Sequence, residues 1–242
     1  MIELPALCRG ALRARLAATG ADIDAALGLR ARLFRDGTTD RDAFDRRALH
    51  VLIEQQAGGR ITGCLRLIPA PPGAAGQGYA GQFYDLSAIE ALGVPTLEVG
   101  RLCLAPGARG TPDALRLVFA VLARAAGAGR AGLLFGCASL AGADPARHDA
   151  ALSRLAASCL APAHLAAPAR GPGAIRLMRR APDGAASAGA LPPLLRGYMA
   201  MGAMVGHEAV IDRDLDTVHV LAMLAPAALP DGRRRVLEAE AG

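Results

Sequence analysis

Two aliphatic runs, Leu49 to Gln55 and Arg60 to Ile68, flank Ala57-Gly58-Gly59, and this arrangement constrains the fold more than any other feature of the chain. Glycines between β-rich runs close an antiparallel hairpin. A different rhythm follows. Leu97 to Leu104 has strand character, and Thr111 can cap a helix with Pro112 and Asp113 in its first turn and an apolar stripe of Leu115, Val118, Val121 and Leu122, ending near Ala126. Leu133 to Ser139 is a short continuous apolar run, as a buried strand requires, and Asp144-Pro145 opens a helix through Ala151, Leu152 and Leu155. Helices over Ile23 to Phe34 and Pro192 to Met201, and strands over Ile175 to Arg179, Val205 to Ile211 and Thr217 to Leu224, complete the set. The alternation predicts an α/β fold, a mixed, mostly antiparallel twisted sheet flanked by helices. A chain of 242 residues is expected to form one domain, with a core over about 20–225 and peripheral tails at 1–19 and 226–242. Between the strands, Pro69 to Gly81 reads as a long loop or flap, and 161–174 and 181–190 as loose Ala/Pro/Gly-rich stretches.

Composition removes several function classes. The chain has no lysine, so its 27 basic residues are all arginine, and P-loop, Schiff-base and kinase chemistries that need a lysine are excluded. Net charge is +5, but with only 3% aromatic residues there are few rings to stack bases, so an acidic partner is expected and nucleic acid is not. Cysteines 8, 64, 103, 137 and 159 form no C-x-x-C pair, which predicts a reducing cytoplasm and no metal site. The longest uncharged stretch, Leu67 to Tyr84, is broken by prolines and glycines and cannot span a membrane, and no signal-peptide core is apparent.

Charges inside apolar strands point to a site. Arg66 interrupts Cys64 to Ile68, and Glu98 and Arg101 interrupt Leu97 to Cys103. Each must be paired if buried. Glu98 and Arg101 are three apart and would face opposite ways in a regular strand. A bulge at Gly100 would bring them toward one face and free a backbone N–H for an oxyanion.

The order Arg30-x-x-x-Phe34, Asp42-x-x-Asp45, Arg66, Phe83, Glu98-x-x-Arg101 resembles that of the acyl-homoserine-lactone synthases, which have a GNAT-like acyltransferase fold. Longer motifs resemble a sister family, the ornithine acyl-carrier-protein N-acyltransferases of bacterial aminolipid synthesis. These motifs are Phe83-Tyr84-Asp85-Leu86, Glu98 to Cys103, Leu134 to Ser139 with Gly142 to Pro145, Leu191 to Arg196, and Ala209 to Val220. They cover most of the chain from Arg30 to Leu224. Met204 and His207-Glu208 depart from the family's aromatic and Asp-His positions, so a glutamine-lipid synthase of the same family stays open as an alternative.

The resemblance implies transfer of a 3-hydroxyacyl group from acyl carrier protein to the α-amine of an amino acid, ornithine favoured over glutamine, as the first step of an aminolipid pathway. No cofactor is expected, since the donor's own phosphopantetheine carries the acyl group. The catalytic candidates are Glu98 as base, Gly100 whose bulge frees a backbone N–H for the oxyanion, and Arg101, which orders the cleft and fixes the amino acid's charged ends. Arg30, Phe34, Asp42, Asp45, Arg66, Phe83, Glu208 and Asp212 are the substrate-binding candidates. Leu102, Cys103, Leu104, Arg109, Gly110 and Thr111 are candidates for the phosphopantetheine, whose phosphate suits the helix start at Thr111. Peripheral contact with the inner membrane is a further expectation. Two other classes compete: an acyl-homoserine-lactone synthase using S-adenosylmethionine, and a non-catalytic carrier-protein-binding module, which would have no need of Glu98.

Overall fold

A computed structural model describes residues 2–109, 111–179, 191–229 and 232. The expected loose stretch 181–190, the donor candidate Gly110 and most of the C-terminal tail lie outside the described residues. The chain folds as two compact units that share one strand. Among the described residues, the first comprises 2–69, 99–109, 111–132 and 232, and the second comprises 70–98, 133–179 and 191–229.

In the first unit the strands follow the order β1 (Leu7–Arg9), β2 (Leu12–Leu16), β3 (Leu49–Gln55), β4 (Ile61–Ala70) and then the latter part of β5 (Thr96–Leu104). Strands β1 to β4 pair antiparallel, and β3–β4 is the hairpin expected from the sequence. Gly63 lets β4 approach β5 closely, because a Cβ there would meet the Leu104 side chain and the Cys103 carbonyl. Helix α1 (Gly20–Phe34) begins three residues earlier than its apolar pattern, since Thr19 and Asp22 form a reciprocal capping box. Its Ala26 and Leu29 pack on Leu52, Cys64 and Cys103.

Residues 1–19, expected as a peripheral tail, instead supply β1 and β2. Leu12 and Ala14 are buried, while Arg13 and Arg15 between and beside them reach Glu54 of β3. The alternation is that of a half-buried strand whose polar face carries arginine.

The second unit has the order β5, β6 (Leu133–Ala141), β9 (Thr217–Leu224), β8 (Met204–Asp212), β7 (Ala174–Arg176). Among its described strands β5–β6 pairs parallel and the others antiparallel, with one further parallel bridge from Leu160 to Val205. The sheet is therefore mixed and mostly antiparallel, as expected. One face is covered by residues 75–89, including helix α2 (Ser87–Glu90), through Ala75, Ala80, Tyr84, Leu86 and Ile89. Leu152 and Leu155 of α4 (Asp149–Ser158) and Leu195 of α5 (Pro193–Ala200) pack in a separate cluster with Leu140, Val218 and Val220. The expected flap is thus a packed cover whose short 3₁₀ turns at 75–77 and 80–82 carry buried alanines. Helix α3 (Pro112–Ala128) belongs to the first unit and packs on β1 and β2, with Thr111 capping Ala114 as its sequence predicts.

Candidate active site

In the first unit, α1, the segment before β3, β4 and β5 bring Arg30, Asp42, Asp45, Arg66 and Arg101 together. Arg30 is 1% exposed and donates from Nε to Asp40 Oδ2 (2.6 Å), from Nη1 to Asp45 Oδ1 (2.7 Å) and from Nη2 to the Asp40 carbonyl (2.6 Å). Arg66 Nη1 donates to Asp42 Oδ1 (2.6 Å) and Asp45 Oδ1 (2.9 Å). Arg101 donates from Nε to Asp40 Oδ2 (2.9 Å) and from Nη2 to Asp42 Oδ2 (3.3 Å).

Asp40, whose carboxylate is fully enclosed and also takes Arg35 Nε at 3.2 Å, is the hub that sequence reasoning missed. It sits in Thr-Thr-Asp-Arg, which reads as an ordinary turn. Burial opposes ionisation of Asp45, but the Arg30 hydrogen bond, the Asp42 amide and Arg66 together hold its carboxyl down at about 2. His50, pushed down by burial, has Nε2 3.1 Å from the Asp45 carbonyl. Because all three guanidinium nitrogens of Arg30 are engaged, this side chain orders the 39–48 segment and has no free face with which to grip a substrate carboxylate. Phe34 is half-buried and packs against the core cluster of α1.

The residue with a left-handed backbone in this stretch is Arg101, one position after the expected bulge site at Gly100. Arg101 adopts φ +51°, a left-handed backbone that disfavours side chains, and its guanidinium is tied to Asp40 and Asp42. Leu102 is half-buried, while Cys103 and Leu104 point into apolar packing, with Cys103 Sγ 3.5 Å from Cys64 Sγ. Arg109 is exposed. Thr111 and Ala108 line a cavity of about 250 Å³ with Leu12, Gln55 and Thr62.

In the second unit, Glu98 is 3% exposed. Its Oε2 accepts the Tyr79 amide (2.8 Å) and its Oε1 the Ala80 amide (2.7 Å). Gly78 is required beside it, since any Cβ there would overlap Oε2. The carboxylate therefore latches the cover onto the sheet, a task its sequence position did not disclose. The ladder to β6 ends at Glu98 opposite Phe135.

Along the cover, the Tyr79 ring meets Phe83 (5.2 Å between centroids) and Phe83 meets His219 edge-on (4.8 Å). Tyr84 Oη donates to the His219 carbonyl (3.0 Å) and lies 3.1 Å from its Nδ1. Burial pushes His219 down to about 4, so the imidazole is neutral at pH 7. Asp212, 6% exposed, caps the β8–β9 turn through Oδ1 and has the Tyr79 hydroxyl 3.5 Å from Oδ2. Glu208 Oε2 is engaged by the Ala169 amide at 2.7 Å. A lone histidine in Val-His-Val reads as core, so His219 too was not found from sequence; its only signal is a polar residue at an inward strand position.

Residues 26–118 match the acetyltransferase (GNAT) domain model. A GNAT-like decarboxylase solved in complex with isobutyryl-CoA is similar over 88% of this chain and 98% of its own, with 21% identity and a TM-score of 0.52, which shows the fold. The chain is an acyltransferase of the GNAT fold. An L-ornithine N(alpha)-acyltransferase of Agrobacterium fabrum is 32% identical over 91% of this chain and 83% of its own. Another, of Rhizobium meliloti, is 34% identical over 88% of this chain and 79% of its own. The chain belongs to the L-ornithine N(alpha)-acyltransferase family.

Proposed function

We propose that the protein transfers a 3-hydroxyacyl group from acyl carrier protein to the α-amine of ornithine, the first step of ornithine lipid synthesis. The observation that carries this reading is the likeness to relatives of that name along nearly the whole chain. The chemistry is balanced without a cofactor. An amino acid's α-amine is mostly protonated near neutral pH and must lose a proton before it attacks. Glu98, buried and placed where the β5–β6 ladder ends, takes that proton directly or through one water. The amine nitrogen then bonds to the thioester carbon, the C–S bond breaks, and the pantetheine sulfur leaves as a thiol, giving an amide and one released proton.

Residues 100 and 101 of the same strand are the candidate oxyanion donors, and the Arg101 pairs with Asp40 and Asp42 hold that backbone in place. Phe83 remains a candidate wall of the acceptor site. The loop through Arg109 to the Thr111 cap is the candidate phosphopantetheine contact. No helix among the described residues is long and apolar enough to cross a membrane; a peripheral site on the cytoplasmic face of the inner membrane fits a product with one acyl chain.

Carrier proteins are acidic, and Arg13, Arg41, Arg46, Arg47, Arg60 and Arg109 are exposed on the first unit. Acylated carrier protein is therefore expected to serve as donor and acyl-CoA to serve poorly. With carrier protein, kcat/KM should fall as salt rises, because exposed charges are screened beyond about 8 Å at physiological ionic strength. Steady-state kinetics with both donors between low and high salt check this. Equal use of acyl-CoA without salt dependence would sink the carrier-protein assignment.

A further inference from the structure

On the face of β8–β9 beneath the cover, two buried polar atoms have no hydrogen-bond partner among the described residues and a carboxylate oxygen beside them has a single long one. Val210 pairs with His219 and Asp212 with Thr217, so Asp212, Thr217 and His219 share one face as direct and diagonal neighbours. The single phenolic proton of Tyr84 goes to the His219 carbonyl, so the Tyr84 oxygen accepts Nδ1–H. That leaves Nε2 as a bare lone pair, in a side chain only 1% exposed, with no hydrogen-bond partner among the described residues. The buried Thr217 Oγ1 has none either. Asp212 Oδ2 has only the distant Tyr79 hydroxyl, and among the described residues no arginine pairs with this carboxylate. A buried carboxylate without a cation, beside two unfilled acceptors, is a costly arrangement in a free protein.

We propose that Asp212, His219 and Thr217 bind the side-chain ammonium of a diamino-acid acceptor, with Phe83 and Tyr79 as its aromatic walls. This rests on the acceptor reading above and deepens it. An ammonium carries three N–H donors and no acceptor, which matches three acceptor atoms and one uncompensated negative charge. The Phe83 ring stands beside His219 and the Tyr79 ring beside Phe83, and a ring face turned to the ammonium adds cation–π attraction. A glutamine amide would bring a carbonyl oxygen that the bare Nε2 cannot satisfy. Neutrality of His219 at pH 7 keeps its nitrogen an acceptor.

The span also fits. Tyr79 already bridges the two carboxylates, with its amide 2.8 Å from Glu98 Oε2 and its hydroxyl 3.5 Å from Asp212 Oδ2, and those two donors are on the order of 7 Å apart by ordinary bond lengths. The two amines of extended ornithine lie about 6 Å apart on the same bond lengths. One carboxylate can thus meet the α-amine while the other meets the distal ammonium. Glu208, a substrate-binding candidate from the sequence, has its Oε2 engaged by the Ala169 amide.

The test compares ornithine with norleucine, which replaces the ammonium by a methyl group, as acceptors for wild type, Asp212→Asn and Thr217→Val. Asparagine keeps the Oδ1 that caps the β8–β9 turn, and valine is isosteric and outside that turn's hydrogen bonds, so one of the two variants should fold if the other does not. The ornithine-to-norleucine ratio of kcat/KM is expected to fall about 30-fold or more in Asp212→Asn, chiefly through the KM for ornithine, and several-fold in Thr217→Val. Ornithine binding to the donor-free enzyme, measured by calorimetry, should weaken in parallel. An unchanged ratio, or equal loss for both acceptors, in a folded variant overturns the ammonium site while leaving the ornithine reaction intact. Failure of the wild type to acylate ornithine at all overturns the acceptor reading and this site with it.

Discussion

Glu98→Gln is expected to lower turnover by about 10² to 10⁴, the range lost with a general base. The structure adds a second consequence. Both carboxylate oxygens accept backbone amides, from Tyr79 and Ala80. A glutamine must turn its own NH₂ toward one of those donors, so the cover over the sheet is unlatched on one side. Loss of activity alone therefore does not separate the two roles, but pH does. If amine deprotonation is the lost step, turnover of the variant rises about tenfold per pH unit, as free amine accumulates, until the amine's own pKa is reached. If Glu98 only latches the cover, variant and wild type share one pH profile. Near-normal turnover in a folded Glu98→Gln protein would remove Glu98 from the mechanism.

The second large effect is on stability. Arg30→Met should lower unfolding free energy by about 3 kcal/mol, since it removes the 2.6 and 2.7 Å bonds to the buried carboxylates Asp40 and Asp45 and leaves only Arg35 and Arg101 beside the one and Arg66 beside the other. For a chain of this size that is roughly a 10 °C fall in Tm. Arg41→Ala supplies the contrast: its 3.2 Å pair with Asp24 is more than half exposed at both ends and should move Tm hardly at all. Denaturation of the three proteins side by side decides the matter, and a wild-type melting curve for Arg30→Met would mean that the network is solvated.

Much of this was legible in the chain because burial penalises charge. Arg66, Glu98 and Arg101 stood out as charges inside apolar strands, and each proved to be buried or nearly so, with partners. Asp40 did not stand out, because a polar residue in a polar turn carries no sign that the turn will be folded inward. Gly100 was the natural site for an irregular backbone, a bulge, since glycine adopts such conformations freely. The strain sits at Arg101 because two aspartates fix its side chain, a tertiary contact that local preference cannot register. Strands β1 and β2 were missed for a similar reason. Their arginines read as solvent-facing tail residues until Glu54 and Asp22 are known to lie beside them. The Pro/Gly/Ala segment after Pro69 gave no hint of packing, because what holds it is a carboxylate distant in sequence and alanines too small to mark a core.

The central claim is acylation of ornithine at its α-amine. Purified protein given 3-hydroxyacyl carrier protein with equal concentrations of ornithine and glutamine, its products identified by mass spectrometry, tests it most directly. The account predicts Nα-(3-hydroxyacyl)ornithine as the main product, and faster acylation of glutamine, or no acylated amino acid at all, would contradict it.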